Sequence, residues 1–114
     1  MSRQASGLKA WLIQRLSAVY LGLFLAYLLL HFTLNAPADH AALTAWVRTP
    51  LVAAGLLLFI PLLLAHAWIG VRDVVIDYVH ALRIRLALLS LFAVCLLASG
   101  LWALKAIISA GLTA

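Results

Sequence analysis

The residues of this chain that could do chemistry are concentrated between His66 and Tyr78. His66 lies in a long uncharged run, and charged side chains return just after it. In a continuous helix, the residues 4, 7 and 11 positions further on share one stripe with His66; they are Gly70, Asp73 and Asp77. An ionisable group inside an apolar span is costly, and imidazole is the commonest metal ligand. The stretch therefore predicts a bound cofactor with His66 as a ligand.

The composition indicates that an integral membrane protein positions these groups. The chain is 68% hydrophobic and 10% charged, with a mean hydropathy of +1.18. That leaves too little polar surface for a water-soluble globule of this size. Three uncharged runs are each near the ~20 residues that cross a hydrocarbon core as a helix. We expect a single all-α membrane domain over residues 1–114, with transmembrane helices at about 16–36, 50–71 and 86–106.

The basic residues predict the orientation of these spans. The amino end and the second connection carry three bases each, whereas the first connection and the carboxyl tail carry one each. By the positive-inside rule, the amino terminus is cytoplasmic and the carboxyl terminus periplasmic. The net charge of +5 therefore reflects orientation in the membrane and does not indicate nucleic-acid binding.

Two histidines lie within spans, at different depths. His31 comes 16 residues after Arg15, about 24 Å along a helix. His66 lies only six residues before Arg72, about 9 Å from the inner boundary. The two axial nitrogens of one metal are only about 4 Å apart. If His66 is one of two axial ligands, the second must come from another chain.

The start of the first span carries small residues and a base. Ser17, Gly22 and Ala26 approximate a face on which another helix can approach closely. Arg15 precedes them at the inner boundary. Its charge suits either an interfacial anchor or a partner for an acidic cofactor group or a quinone carbonyl. Both interpretations remain open from the residues alone.

The end of the stripe carries a phenol and a carboxylate. Tyr78 is 12 residues beyond His66, about 18 Å along a helix, so it cannot reach a metal held there. A phenol at the membrane boundary can donate a hydrogen bond to a quinone oxygen. On sequence alone, a tyrosine at the position of Tyr78 is more often an interfacial anchor, and Asp77 more often a solvated helix cap.

Several of these segments together resemble a known family. Residues 66–70 read HAWIG, residues 77–79 read DYV, and residues 14–18 read QRLSA. These motifs, with the length and the three spans, resemble the small hydrophobic membrane anchor of bacterial, haem b-containing succinate dehydrogenase, complex II. The resemblance covers the whole chain loosely and the two motifs after position 66 closely.

The resemblance implies a function and a set of partners. His66 would be an axial ligand of the haem b iron, and Arg15 would contact a haem propionate or the quinone site. Tyr78 would bind ubiquinone, with Asp77 supporting it. A second membrane anchor subunit would supply the other haem ligand and complete a heteromeric helix bundle. An iron-sulfur subunit and a flavoprotein subunit with FAD would dock on the cytoplasmic face of the bacterial inner membrane.

Two alternatives remain. The anchor of a fumarate reductase would run the same chemistry in reverse, and the sequence does not fix the direction. A small structural or transport membrane protein is a different class. Proton-coupled transport favours a carboxylate within a span, and the three uncharged runs contain none. The chain also lacks a nucleotide-binding loop and paired cysteines, so we do not expect it to be catalytic alone.

Overall fold

The computed structural model describes the backbone of residues 3–112 and the side chains of residues 7–111. This part of the chain is helical and contains no strand, which confirms the all-α prediction. The four helices are α1 (Arg3–Leu34), α2 (His40–Arg48), α3 (Pro50–Tyr78) and α4 (Leu82–Leu112).

Three of these helices are long and apolar enough to cross a membrane. The membrane-spanning stretches are Gly7–Leu34, Pro50–Tyr78 and Leu82–Gly111. The prediction of three transmembrane helices is confirmed. Each helix continues beyond its uncharged run, because a helix satisfies its own backbone hydrogen bonds and need not end where the hydrocarbon ends. The helical assignment also continues through Pro61.

The two connections differ from a simple loop between spans. Residues 72–78, expected in the second connection, complete α3, and only residues 79–81 separate it from α4. Neither glycine nor proline occurs between positions 72 and 78, so the helix continues where the charges return. The first connection contains α2, which the sequence analysis did not predict. Asp39 caps α2 by accepting a 2.8 Å hydrogen bond from the Ala42 backbone nitrogen.

The central element is α3. It packs against both α1 and α4, whereas the backbones of α1 and α4 do not approach one another closely within the described residues. Two glycines permit this packing. A β-carbon on Gly55 would lie 2.5 Å from Phe24 Cε2, and one on Gly100 would collide with Leu64. Tyr20 adds a 2.6 Å hydrogen bond from its hydroxyl to the Gly55 carbonyl. The helix that carries His66 is therefore held from both sides.

Few side chains are enclosed by the chain itself. Among the side chains described, the buried ones are Ser17, Leu21, Val52 and Val75. Most leucines, valines and isoleucines of the spans remain exposed. In a membrane, such surface faces lipid or the helices of other subunits.

Candidate functional site

The candidate site begins with a contact between α1 and α3. The Ser17 hydroxyl oxygen lies 3.2 Å from His66 Nδ1. Ser17 is the most buried of the buried side chains, at 1% exposure, and its hydroxyl also donates a 3.1 Å hydrogen bond to the Gln14 carbonyl. His66 is half-buried. The imidazole is thus held against the first span by one hydroxyl.

This pair of hydrogen bonds is compatible with a neutral His66 whose Nε2 is unprotonated. Ser17 has one hydroxyl proton, and the Gln14 carbonyl can accept it. When the proton is donated to Gln14, the Ser17 oxygen accepts from His66 Nδ1, and Nε2 carries a lone pair. Within the described residues, Nδ1 is the only ring nitrogen of His66 with a hydrogen-bond partner. A neutral imidazole whose other nitrogen is fixed by a hydrogen bond is the usual form of a metal-ligating histidine.

The polar stripe of α3 continues from His66 towards the end of the helix. A β-carbon on Gly70 would lie 3.7 Å from Gln14 Nε2, an ordinary contact distance, so this glycine faces α1. Asp73 lies next on the stripe and forms a 3.1 Å ion pair with Arg72. The first three positions of the predicted stripe are thus on the side of α3 that faces α1.

A polar cleft of about 400 Å³ lies between α1 and α3 beside this stripe. Arg15 lines it together with Gln14, Arg72 and Asp73. The guanidinium of Arg15 also lies 5.7 Å from the ring centroid of Trp11, a cation–π contact typical of an interfacial residue. The Gln14 side-chain oxygen is buried without a hydrogen-bond partner in the described residues. Positive charge and an unmatched acceptor thus lie near the His66 end of α1.

His31 belongs to a separate cluster. Its ring stacks on Trp46 of α2, with centroids 4.7 Å apart and an angle of 14°. Trp46 in turn donates a 3.3 Å hydrogen bond to the Tyr27 hydroxyl. Ser17 and His31 are 14 residues apart on α1, about 21 Å along the helix. The structure therefore brings His66 to Ser17 and leaves His31 with the aromatic side chains of the opposite end.

Tyr78 is the last residue of α3. The helix is uninterrupted from His66 to Tyr78, as expected from the sequence, so the two residues are 12 positions apart on one helix. Its side chain is 78% exposed, and Asp77 is also exposed. Neither side chain forms a hydrogen bond or ion pair within the described residues. Instead, Arg85 of α4 binds the backbone on either side of them. Its Nε donates to the Val79 carbonyl at 3.1 Å, and its Nη2 donates to the Ile76 carbonyl at 3.3 Å.

The roles of Ser17 and Arg85 were not predicted from the sequence. From the sequence alone, Ser17 is a small residue of a packing face, and Arg85 is one of the bases that orient the spans in the membrane. A hydroxyl in an apolar span needs a hydrogen-bond partner. Because consecutive spans are antiparallel, the start of the first span and the end of the second lie on the same side of the membrane, so a partner for Ser17 could have been sought near the end of α3. No comparable signal marks Arg85, because Arg83 has the same charge and lies only two residues away.

No cluster of three potential metal-ligating side chains occurs among the described residues.

The three spanning helices and the contact between Ser17 and His66 define a membrane protein with a candidate ligand site inside a span. Residues 1–104 match the family described as the succinate dehydrogenase/fumarate reductase transmembrane subunit. The succinate dehydrogenase hydrophobic membrane anchor subunit of Coxiella burnetii is 31% identical over 103 residues, covering 87% of this chain and 86% of that protein. The subunit of the same name from Rickettsia felis is 30% identical over 98 residues, covering 82% and 81%.

The chain belongs to this family of transmembrane subunits. It is a multi-pass membrane anchor and works as part of an enzyme complex with other subunits. The resemblance noted from residues 14–18, 66–70 and 77–79 is thereby confirmed.

Proposed function

We propose that this chain anchors a succinate:quinone oxidoreductase in a bacterial inner membrane, provides one axial ligand to haem b and forms part of the ubiquinone site. The single observation that carries the haem assignment is the hydrogen bond between Ser17 and His66 Nδ1, 3.2 Å long. It leaves Nε2 as a free donor atom in a membrane span, which is what a haem iron requires of its protein ligand.

The residues around His66 also fit the polar edge of a haem. Arg15 and Arg72 line the cleft beside the stripe and carry the charge that propionates need. Haem, when bound, supplies a one-electron carrier, and this chain holds it in place and sets the polarity around it. Arg15 is the residue we assign to a propionate or to the edge of the quinone site.

The quinone assignment rests on the end of α3. Tyr78 presents an exposed phenol on the last residue of a spanning helix, where a hydrophobic quinone head could approach from the membrane. The hydroxyl can donate a hydrogen bond to a quinone oxygen, and Asp77 lies beside it in sequence as a supporting acceptor or proton carrier. At this separation, a quinone bound at Tyr78 would not contact His66.

The remaining subunits follow from the family. A second anchor subunit would cover exposed apolar surface and supply the other axial ligand. A flavoprotein with FAD and an iron-sulfur subunit would dock on the cytoplasmic side, where the charge bias places the amino terminus and Tyr78. We favour succinate oxidation over fumarate reduction because both relatives described above are named for succinate dehydrogenase.

A reduced-minus-oxidised optical spectrum of the complex, purified through a tag on this chain, tests the haem assignment. The wild type should show a b-type haem signal, and His66→Ala should lose all or most of it because one axial ligand is gone. His31→Ala is the matched control, since it removes the other intramembrane imidazole and should keep the signal. A normal haem spectrum in His66→Ala would refute the assignment.

A further inference from the structure

The turn between α3 and α4 is held by one side chain. Arg85 lies in the first turn of α4 and is half-buried, and it donates to the carbonyls of Ile76 and Val79. Ile76 carries one of the last carbonyls of α3, which have no partner within the helix, and Val79 is the C-cap residue that follows it. A guanidinium is well suited to them, because it offers several donors in a fixed plane and its charge complements the negative end of the helix.

The two carbonyls bracket the proposed quinone contact. Ile76 lies two residues before Tyr78, and Val79 lies one after it. The Tyr78 side chain, at 78% exposure, forms no hydrogen bond within the described residues. Its position therefore depends on the backbone that carries it. Val75, three residues before Tyr78, is buried.

We propose that Arg85 is a positioning residue for the quinone site, acting through Tyr78. It joins the start of α4 to the end of α3 and keeps the Tyr78 phenol at a fixed height and direction. It does not touch quinone. This inference rests on the proposed function, because it assumes that Tyr78 contacts the quinone.

Arg83 provides a matched control. It lies two residues away on the same turn of α4 and carries the same charge. It is exposed, and it makes no hydrogen bond or ion pair within the described residues. Any effect of Arg85 that comes from net charge, orientation in the membrane or docking of a charged partner should be shared by Arg83. An effect that comes from holding Tyr78 in position should be specific to Arg85.

The test is steady-state kinetics of the purified complex with a short-chain ubiquinone. Arg85→Gln should raise the KM for quinone about tenfold, the scale of losing one charge-assisted hydrogen bond, with a smaller change in kcat. Arg85→Lys keeps a donor and the charge and should recover part of the loss. Arg83→Gln should stay within about twofold of the wild type. Electron transfer to a soluble acceptor that bypasses the quinone site should be unchanged in all three, which controls for assembly.

A double variant separates positioning from an independent role. If Arg85 acts through Tyr78, Tyr78→Phe combined with Arg85→Gln should have nearly the KM of Tyr78→Phe alone, because the second change has nothing left to misplace. If the increases in KM from Tyr78→Phe and Arg85→Gln multiply in the double variant, the proposal is overturned. Equal increases in KM from Arg83→Gln and Arg85→Gln would also overturn it. A normal KM in Arg85→Gln with a raised KM in Tyr78→Phe overturns the positioning role and leaves the quinone site standing. A normal KM in Tyr78→Phe refutes the quinone site and the positioning role together.

Discussion

Ser17 contributes a single oxygen atom to the candidate site, and that atom contacts Nδ1 of His66 and leaves Nε2 without a partner in the described residues. The same hydroxyl can donate its proton to the Gln14 carbonyl and accept from Nδ1. At the scale of the residue, the imidazole is thus held by a neighbour on another helix, 49 positions away in sequence.

Ser17→Ala should weaken haem binding. The variant leaves the Nδ1 proton without an acceptor and frees the ring to rotate or to change tautomer, and loss of such an outer hydrogen bond typically costs about 10- to 100-fold in metal affinity or activity. The measurement is the rate of haem loss from the purified complex to an excess of a haem-scavenging protein. Ser17→Thr keeps the hydroxyl and should behave like the wild type. Equal rates of haem loss in all three proteins would contradict the role of Ser17.

At the scale of the element, α3 carries both proposed sites and both close helix contacts. The face towards α1 presents His66 and Gly70, and the end of the helix presents Tyr78. Further back, Gly55 admits the ring of Phe24, and Tyr20 bonds to the Gly55 carbonyl. Because one rigid helix spans all of these contacts, the register between α1 and α3 positions His66 against Ser17.

Gly55→Ala should destabilise the packing of α1 on α3. The added carbon would lie 2.5 Å from Phe24 Cε2, so the ring or the helix must move, at a cost of roughly 1–3 kcal/mol. Gly70→Ala in the same helix is the control. Its added carbon would meet Gln14 at an ordinary 3.7 Å and should cost little. Thermal unfolding of the purified complex measures both. A lower midpoint for Gly70→Ala than for Gly55→Ala would contradict this account of the contact.

At the scale of the whole molecule, the three spanning helices leave most of their apolar surface uncovered. α1 and α4 both pack on α3, and in the described part of the chain their backbones do not approach one another closely. The cleft with Arg15 and Arg72 lies at the end of the molecule that carries Tyr78, and the His31–Trp46 cluster involves the opposite end of α1. Such an open arrangement suits a subunit whose remaining contacts are made by lipid and by partner helices.

The orientation of the molecule in the membrane can be tested with two engineered cysteines. In a Cys95→Ser background, Ala41→Cys reports on α2 and His80→Cys on the turn after α3. The charge bias predicts that a membrane-impermeant maleimide labels position 41 in intact spheroplasts, whereas position 80 reacts only after the membrane is opened. The Cys95→Ser protein without added cysteines measures background labelling. Labelling of position 80 in intact spheroplasts would reverse the proposed orientation.

The sequence by itself determined the number of spans, the continuity of the polar stripe and the separation of His66 from Tyr78. These properties depend on local quantities, namely the length of an apolar run and the rise of a helix. It also showed that His31 and His66 lie at different depths. It did not give α2, and it placed the second connection over residues that complete α3, because returning charges mark the membrane boundary and not the end of a helix.

Only the tertiary structure paired Ser17 with His66, distinguished Arg85 from Arg83 and made α3 the central helix. The three long helices are apolar around most of their circumference, so no stripe of hydrophobic residues shows which face packs inwards. Their register is instead set by a few contacts between distant residues, such as Phe24 against Gly55. The uniformly apolar composition that places the chain in a membrane is therefore also the reason why the packing faces of its helices could not be predicted from the sequence.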